Sequence, residues 1–155
     1  MQTEDTLAKA NQLMSTLAPI DQMDALTLDE AGTCVLSFDE WVVHFGLDTE
    51  AATLVLSCVL APLPAAADAA MLQRLLQANA VRAETGGAVL ALDASGERVL
   101  WLARASLALE GQAFAALVEA YLNQAEAWAE LIDAGLASPQ ADAVPSDLHF
   151  QFQRV

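Results

Sequence analysis

Two neighbouring segments of the chain, residues 33–38 and 41–47, alternate with a period of two, and both of their faces carry large apolar side chains. In the first segment, Cys34 and Leu36 fall on one side and Val35 on the other. This period is typical of β-strands, and the acidic pair between the segments predicts a tight turn. A third strand is predicted at residues 53–60, and the short connections make the three strands antiparallel.

Three other segments follow the helical period. In the first predicted helix, five apolar residues fall at helical spacing before Pro19: Leu7, Ala10, Leu13, Met14 and Leu17. The second is a leucine- and alanine-rich stretch that runs to the pair Gly86-Gly87, and the third begins near Glu110 and ends at Gly135. Two more strands, GAVLALD and RVLWLARASL, are predicted between the second and third helices.

The predicted order is α-β-β-β-α-β-β-α, which indicates an α+β fold with helices packed on a twisted antiparallel sheet. At 155 residues the chain is long enough for one domain, which we place at residues 1–137. Residues 138–155 contain two prolines and no sustained period, so they are interpreted as a flexible tail. The last eight residues, LHFQFQRV, also alternate and are compatible with an added strand.

Acidic residues outnumber basic residues by 21 to 6, which gives a formal net charge of −15. Such a field repels nucleic acid and anionic membrane surfaces, so neither is an expected partner. No apolar run approaches the roughly 18 residues of a membrane span, and the acidic N-terminus does not resemble a signal peptide. The protein is therefore expected in the cytoplasm, where Cys34 and Cys58 are interpreted as small core residues.

Motifs that carry chemistry are not apparent. The sequence contains no HExxH, CxxC, GxSxG or phosphate-loop motif, and its two histidines are His44, in a predicted strand, and His149, in the tail. The acids are scattered over predicted turns and helix surfaces without the spacing of a metal site. We therefore expect no enzymatic activity, no metal and no cofactor. An alternative is a small-ligand-binding or enzymatic domain in which His44 and Glu40 line a cavity.

A sheet that is apolar on both faces needs a cover on each face. The helices of the chain can cover one face, which leaves the other face, or a strand edge, for another chain. A second copy can cover it in a symmetric dimer. An extended peptide can add to a strand edge and place alternate side chains in apolar pockets.

Four stretches follow one another between about residues 3 and 134: LTLDEAGTCVLSFD, LLQAN, GGAVLALDASG and FAALVEAYLNQAEAW. Together with the element order, length and acidity, they resemble the class I type III secretion chaperones, the Tir chaperone family. The resemblance implies a bacterial, cytoplasmic, homodimeric chaperone with a role in virulence. Such a chaperone binds the extended N-terminal segment of a secreted effector and keeps it soluble and competent for secretion. It also implies delivery of the effector to the secretion ATPase.

The resemblance also implies roles for particular positions. The expected effector-binding residues lie on the first helix and the first two strands: Leu7, Leu13, Met14, Leu17, Val35, Ser37, Val42 and His44. The expected dimer-interface residues lie on the second helix and the last strand: Leu72, Leu75, Leu76, Asn79, Leu100 and Leu102.

Two questions stay open at this point. The sequence does not fix which face of the sheet forms the groove, so the opposite set of Leu36, Phe38 and Val43 is an alternative to the strand residues named above. A scaffold or regulator that binds a folded protein is a third class of function, and the sequence does not identify the effector.

Overall fold

The computed structural model describes residues 2–18 and 26–136. The elements in chain order are α1 (Gln2–Ser15), β1 (Thr33–Phe38), β2 (Trp41–Asp48), β3 (Thr53–Pro62), α2 (Ala69–Ala80), α3 (Arg82–Thr85), β4 (Val89–Leu92), β5 (Arg98–Ser106) and α4 (Gly111–Asp133). This order confirms the predicted α+β class, with α3 as one short addition. The predicted tail at residues 138–155 lies outside the described residues, so the predicted boundary stays a prediction.

The five strands form one antiparallel sheet in the order β1-β2-β3-β5-β4. Strands β1 and β2 pair from Thr33 opposite Gly46 to Phe38 opposite Trp41, which confirms the tight turn predicted between them. Strand β5 returns beside β3 and places β4 at the far edge. The sheet therefore has two edge strands, β1 and β4.

The core lies on one face of the sheet, here called the inner face. Helix α4 packs against β3 and β5 on this face, and its buried stripe follows the helical period: Phe114, Val118, Tyr121, Ala125, Trp128 and Ile132. Opposite this stripe, the strands contribute Val43, Phe45, Leu54, Leu56, Val99 and Trp101, all of them at most 1% exposed. Cys58 is buried in the same core and Cys34 packs against it half-buried, which confirms the interpretation of both as core residues.

Two aromatic residues join α4 to β5 through reciprocal hydrogen bonds. The Tyr121 hydroxyl donates to the Trp101 carbonyl at 2.8 Å, and the Trp101 indole N–H donates to the Tyr121 carbonyl at 3.2 Å. Both side chains are buried, so each polar group of the pair finds its partner inside the core. Burial also raises the pKa of the Tyr121 phenol, which keeps the hydroxyl protonated as a donor. The pair fixes α4 against the centre of the inner face.

Helix α2 is shorter than the sequence predicts. Its N-terminus is capped by Asp68, whose carboxylate accepts from the Met71 N–H at 2.9 Å, but the helix ends at Ala80 instead of at the glycine pair. The break is at Val81, whose φ of −103° and ψ of 88° are not helical, and the chain resumes a helical turn as α3. The Trp128 indole N–H donates to the Glu84 carbonyl in α3 at 3.2 Å and ties this segment to α4.

The Asn79 side chain closes the outer edge of β4. Its amide oxygen accepts from the Leu90 N–H at 2.8 Å, and its amide nitrogen donates to the Leu90 carbonyl at 2.9 Å. These are the backbone groups of Leu90 that another strand would use, and a side-chain amide reproduces both halves of that pairing. Strand β4 is therefore covered at an edge that would otherwise accept a strand from another chain.

The turn between β4 and β5 is organised by Asp93. Its carboxylate accepts from the Arg98 guanidinium at 2.7 Å, from the Ser95 hydroxyl and from the backbone N–H groups of Glu97 and Arg98. The hydrogen bond from Arg98, and then those from Ser95 and the backbone, lower the Asp93 pKa to about 2.

Replacing Asn79 by alanine should destabilise the fold, because the buried Leu90 would lose both partners of its edge-facing backbone groups. We expect Asn79→Ala to lower the free energy of unfolding by about 1–3 kcal/mol in urea titrations. The control is Gln77→Ala, an exposed position on the same helix, for which a change within about 0.5 kcal/mol is expected. Equal effects of the two substitutions would contradict the edge-capping role of Asn79.

The lowered Asp93 pKa predicts a specific pH dependence of stability. A carboxyl group with a depressed pKa stabilises the fold above its unfolded-state value, here 3.8, and this contribution is lost as the pH falls towards about 2. The melting temperature of the unsubstituted protein should therefore exceed that of Asp93→Asn above pH about 4, and the difference should shrink between pH about 4 and 2. A difference that stays constant over this range would contradict the prediction.

Candidate partner-binding surfaces

The face of the sheet opposite the core, here called the outer face, carries apolar side chains that the described part of the chain leaves open to solvent. One row of paired residues crosses all five strands of this face: Val35, His44, Ser57, Leu102 and Val89. Val35 is 54% exposed, Val42 49% and Val59 41%, whereas Leu100 and Leu102 are half-buried. Exposed valines on neighbouring strands form an apolar surface of the kind that other chains cover.

The strand half of the predicted effector-binding set lies together on the outer face. Val35, Ser37, Val42 and His44 are all exposed there. The alternative set is oriented inward, because Val43 is fully buried and Leu36 and Phe38 pack half-buried against the core. Of the two alternative sets of strand residues, the set that contains Val35 and Val42 is therefore the one accessible to a partner, and the set that contains Leu36 and Val43 is not. Whether these residues contact an effector stays a prediction.

The helix half of the same predicted set lies elsewhere. Leu13 and Met14 on α1 are buried in the core, at 5% and 0% exposure, and Leu7 and Leu17 pack half-buried against it. The structure therefore does not join the α1 residues and the outer-face residues into one continuous groove. Within the helix set, only Leu7 and Leu17 have side chains that are partly exposed to solvent.

The two sheet edges differ in accessibility. Asn79 covers β4, whereas β1 pairs only with β2 among the described residues. The Asp29 carboxylate accepts from the Thr33 N–H and hydroxyl, and the Asp29 N–H donates to the Thr33 carbonyl, so the start of β1 is held in place. Beyond Thr33, β1 offers an edge that borders the exposed side chains of the outer face.

A second apolar surface, here called the α2–β4 patch, joins the exposed side of α2 to β4. Leu72 and Leu76 are one helical turn apart and 36% and 70% exposed, and Leu92 on β4 is 42% exposed. Val89, which is 47% exposed, points to the outer face instead. A small cavity of about 180 Å³ separates the helix from the strand.

The predicted dimer-interface residues take different places around this patch. Leu72 and Leu76 belong to it, but Leu75 is buried and Asn79 is engaged with Leu90. Leu100 and Leu102 are half-buried on the outer face of the neighbouring strand β5. Sequence reasoning missed Val89, Leu92 and Val59. The period of two in β3 and β4 contained this signal, but the face of each strand could be assigned only once the register was known.

A third surface is a cleft between the end of the β1–β2 hairpin and α4, here called the hairpin–α4 cleft. Strands β2 and β3 pair from Asp48 opposite Thr53 only as far as His44 opposite Ser57, and residues 41–43 pair with β1 alone. Strand β3 also has an irregular register between Val59 and Ala61, and an extra residue of this kind bends a strand. The cleft of about 780 Å³ is lined by Glu40, Trp41, Val42, His44, Ser57, Cys58, Val59, Leu60, Arg98, Leu100, Leu102, Glu126, Ala129 and Glu130.

Glu40 and His44, the pair considered for a small-ligand or enzymatic site, both line the hairpin–α4 cleft. Glu40 lies in the turn of the β1–β2 hairpin, and His44 lies on β2 with its side chain exposed on the outer face. Within residues 2–18 and 26–136, no three or more His, Cys, Asp or Glu side chains are grouped so that they could hold a metal ion. None of the helices described is both long and apolar enough to span a membrane.

Comparison with solved structures finds the same fold in three complexes. The crystal structure of the ExsC–ExsE complex has a TM-score of 0.70 and 23% identity, with 81% of this chain and 95% of that chain covered. The HopA1–SchA chaperone–effector complex has a TM-score of 0.67 and 19% identity, with coverage of 82% and 97%. The heterodimeric ExoU–SpcU complex from the type III secretion system of Pseudomonas aeruginosa has a TM-score of 0.52 and 17% identity, with coverage of 69% and 86%.

A search of curated proteins gave no match. The sequence profile of the Tir chaperone protein (CesT) family, however, matches residues 12–129, which is most of the chain, and it confirms the resemblance seen in the sequence. The chain belongs to the Tir chaperone protein (CesT) family.

Proposed function

We propose that this chain is a type III secretion chaperone that binds an extended segment of a secreted effector and keeps it soluble and competent for secretion. The observation that carries the proposal is the apolar outer face, which lies beside the open edge of β1 in a member of a chaperone family. The fold is also that of proteins solved as chaperone–effector complexes. This function needs binding surfaces and no catalytic group.

The outer face suits an extended segment because every second residue of each strand places its side chain on this face. An added strand would take hydrogen bonds from the β1 edge, which set its register, and would place alternate side chains over Val35 and Val42. A segment that is disordered before binding loses conformational entropy, so its affinity must come from a long contact. Apolar burial of about 25 cal/mol per Å² supplies that affinity step by step along the strand.

The α2–β4 patch supports a homodimer in the same proposal. Leu72, Leu76 and Leu92 form an exposed apolar surface, and a two-fold axis through it would bury each residue against a second copy. Because Asn79 already occupies the β4 edge at Leu90, the two copies would meet through side chains. A continuous sheet across the dimer is not expected.

The remaining parts of the proposal concern the setting of the protein. A cytoplasmic location and delivery of the effector to the secretion ATPase follow from the function, as does a contribution to virulence. The formal charge of −15 gives the molecules mutual repulsion, which opposes aggregation through the apolar surfaces. The same charge favours effector segments that are neutral or basic.

The proposed dimer is tested by Leu76→Asp. A charge at this position, 70% exposed in one copy, would be buried without a partner in the dimer, so dimer should convert to monomer in size-exclusion chromatography with light scattering. Gln73→Asp adds the same charge at an exposed position of the same helix and should leave the mass unchanged. An unsubstituted protein that is monomeric, or a Leu76→Asp variant that keeps its dimer mass, would contradict the proposed interface.

The chaperone function is tested by co-purification from bacteria that express a type III secretion system, followed by mass spectrometry. The unsubstituted protein should recover a secreted protein, and Val35→Asp with Val42→Asp should reduce the affinity at least about tenfold, because two apolar contacts are lost. Gln112→Asp, an exposed position on α4, is the charge control and should keep full binding. Recovery of no secreted protein, or equal binding by the unsubstituted protein and both variants, would contradict the proposal.

A further inference from the structure

We propose that the hairpin–α4 cleft is an anchor site for the partner protein, selective for a large apolar side chain next to lysine or arginine. This inference rests on the proposed function. The cleft shares Val42 and Val59 with the outer face but extends beyond it to α4, away from the α2–β4 patch, and the inference names the chemistry that the partner must present there.

The floor of the cleft is apolar because β2 leaves β3 at this point. Trp41 and Val42 lie on the hairpin side, Val59 and Leu60 on the β3 side, and Leu100 on β5 beyond them. Val42 and Val59 are half exposed, so apolar surface of two adjacent strands faces the opening. A cleft of about 780 Å³ is large enough for an aromatic or leucine side chain together with its neighbours.

The rim of the cleft is acidic. Glu40 stands on the hairpin turn, and Glu126 and Glu130 stand one helical turn apart on α4. A smaller depression of about 390 Å³ adjoins the cleft, shares Glu40, Trp41 and Glu126 with it, and adds Glu119 from the same helix. Carboxylates thus line both sides of one continuous opening.

Little positive charge offsets these carboxylates within the lining. Apart from His44, Arg98 is the one basic side chain in the lining, and its guanidinium is bound to Asp93 at 2.7 Å. Acids on two walls around an apolar floor concentrate the negative potential in the opening. A cationic side chain beside an apolar one satisfies both features at once.

The charge distribution favours such a partner over a second copy of this chain. Each copy carries 21 acidic residues and 6 basic residues, and Arg74, Arg98 and Arg104 are already in ion pairs. Docking a second copy here would bring like charges together, which is unfavourable in an interface. We therefore assign the cleft to a basic, apolar segment of a different protein.

The test uses a fluorescein-labelled peptide in which leucine and phenylalanine alternate with arginine, and a matched peptide with glutamate in place of arginine. In fluorescence anisotropy titrations at low salt, the arginine peptide should bind and the glutamate peptide should not. Glu126→Gln with Glu130→Gln should weaken the arginine peptide about fivefold, since exposed ion pairs are individually modest. Glu30→Gln with Glu50→Gln makes the same change in net charge on distant turns and should alter binding less than twofold.

A second pair of variants tests the apolar floor. Val59→Ser should weaken the arginine peptide about threefold or more, because Val59 lines the cleft. Val55→Ser lies on the same strand and the same face but outside the lining, and it should leave the affinity unchanged. Thermal melting checks that every variant is folded.

Four outcomes would overturn the assignment. Equal weakening by the two glutamate pairs would mean that only the overall charge acts, and equal binding of both peptides would remove the charge selectivity. Tighter peptide binding by Phe150→Ser with Phe152→Ser would mean that the cleft is occupied by this chain's own C-terminal segment. A changed molecular mass of Glu126→Gln with Glu130→Gln in light scattering would mean that a second copy covers it.

The co-purified secreted protein separates this inference from the proposed function. If it binds the unsubstituted protein and loses affinity with Glu126→Gln and Glu130→Gln, both stand. If the secreted protein binds the unsubstituted chain and the Glu126→Gln, Glu130→Gln variant equally, the function stands and the cleft assignment fails. If no secreted protein binds the unsubstituted chain, the proposed function itself fails.

Discussion

Alternate side chains of a β-strand point to opposite faces of a sheet, and here both faces are apolar while the helices cover only one of them. The Tyr121–Trp101 hydrogen bonds and the buried stripe of α4 commit the inner face to the core. Val35, Val42 and Val59 then have no cover within the described residues. The fold is stable because of the first face, and the proposed binding function depends on the second.

The two edges of the sheet extend this asymmetry. A side-chain amide closes β4, whereas β1 pairs on one side only. An open edge is a general hazard for self-association, and the strong negative charge of the chain opposes that reaction between copies. Three of the acidic residues, Glu40, Glu126 and Glu130, line the hairpin–α4 cleft, so this end of the outer face favours a partner that is basic as well as apolar.

Local patterns predicted much of this fold. The period of two placed β1 at its observed bounds, and the period of α4 identified the helix that covers the core. Contacts distant in sequence could not be predicted in the same way. The early end of α2 accompanies a hydrogen bond from Trp128, the role of Asn79 depends on β4 lying beside α2, and the burial of Leu13 and Met14 depends on how α1 meets α4. The exposed strand residues were identified because their faces alternate. The cleft was missed because it arises where two paired strands diverge.

Amide hydrogen exchange of the chain, alone and with its co-purified secreted protein, tests the central claim most directly. The β1 amides that point away from β2, those of Val35 and Ser37, should become protected in the complex, because an added strand would accept their hydrogen bonds. The Leu90 amide, already bonded to Asn79, should change little. Protection that leaves β1 unchanged and appears elsewhere would contradict the assignment of the outer face and its free edge as the binding surface.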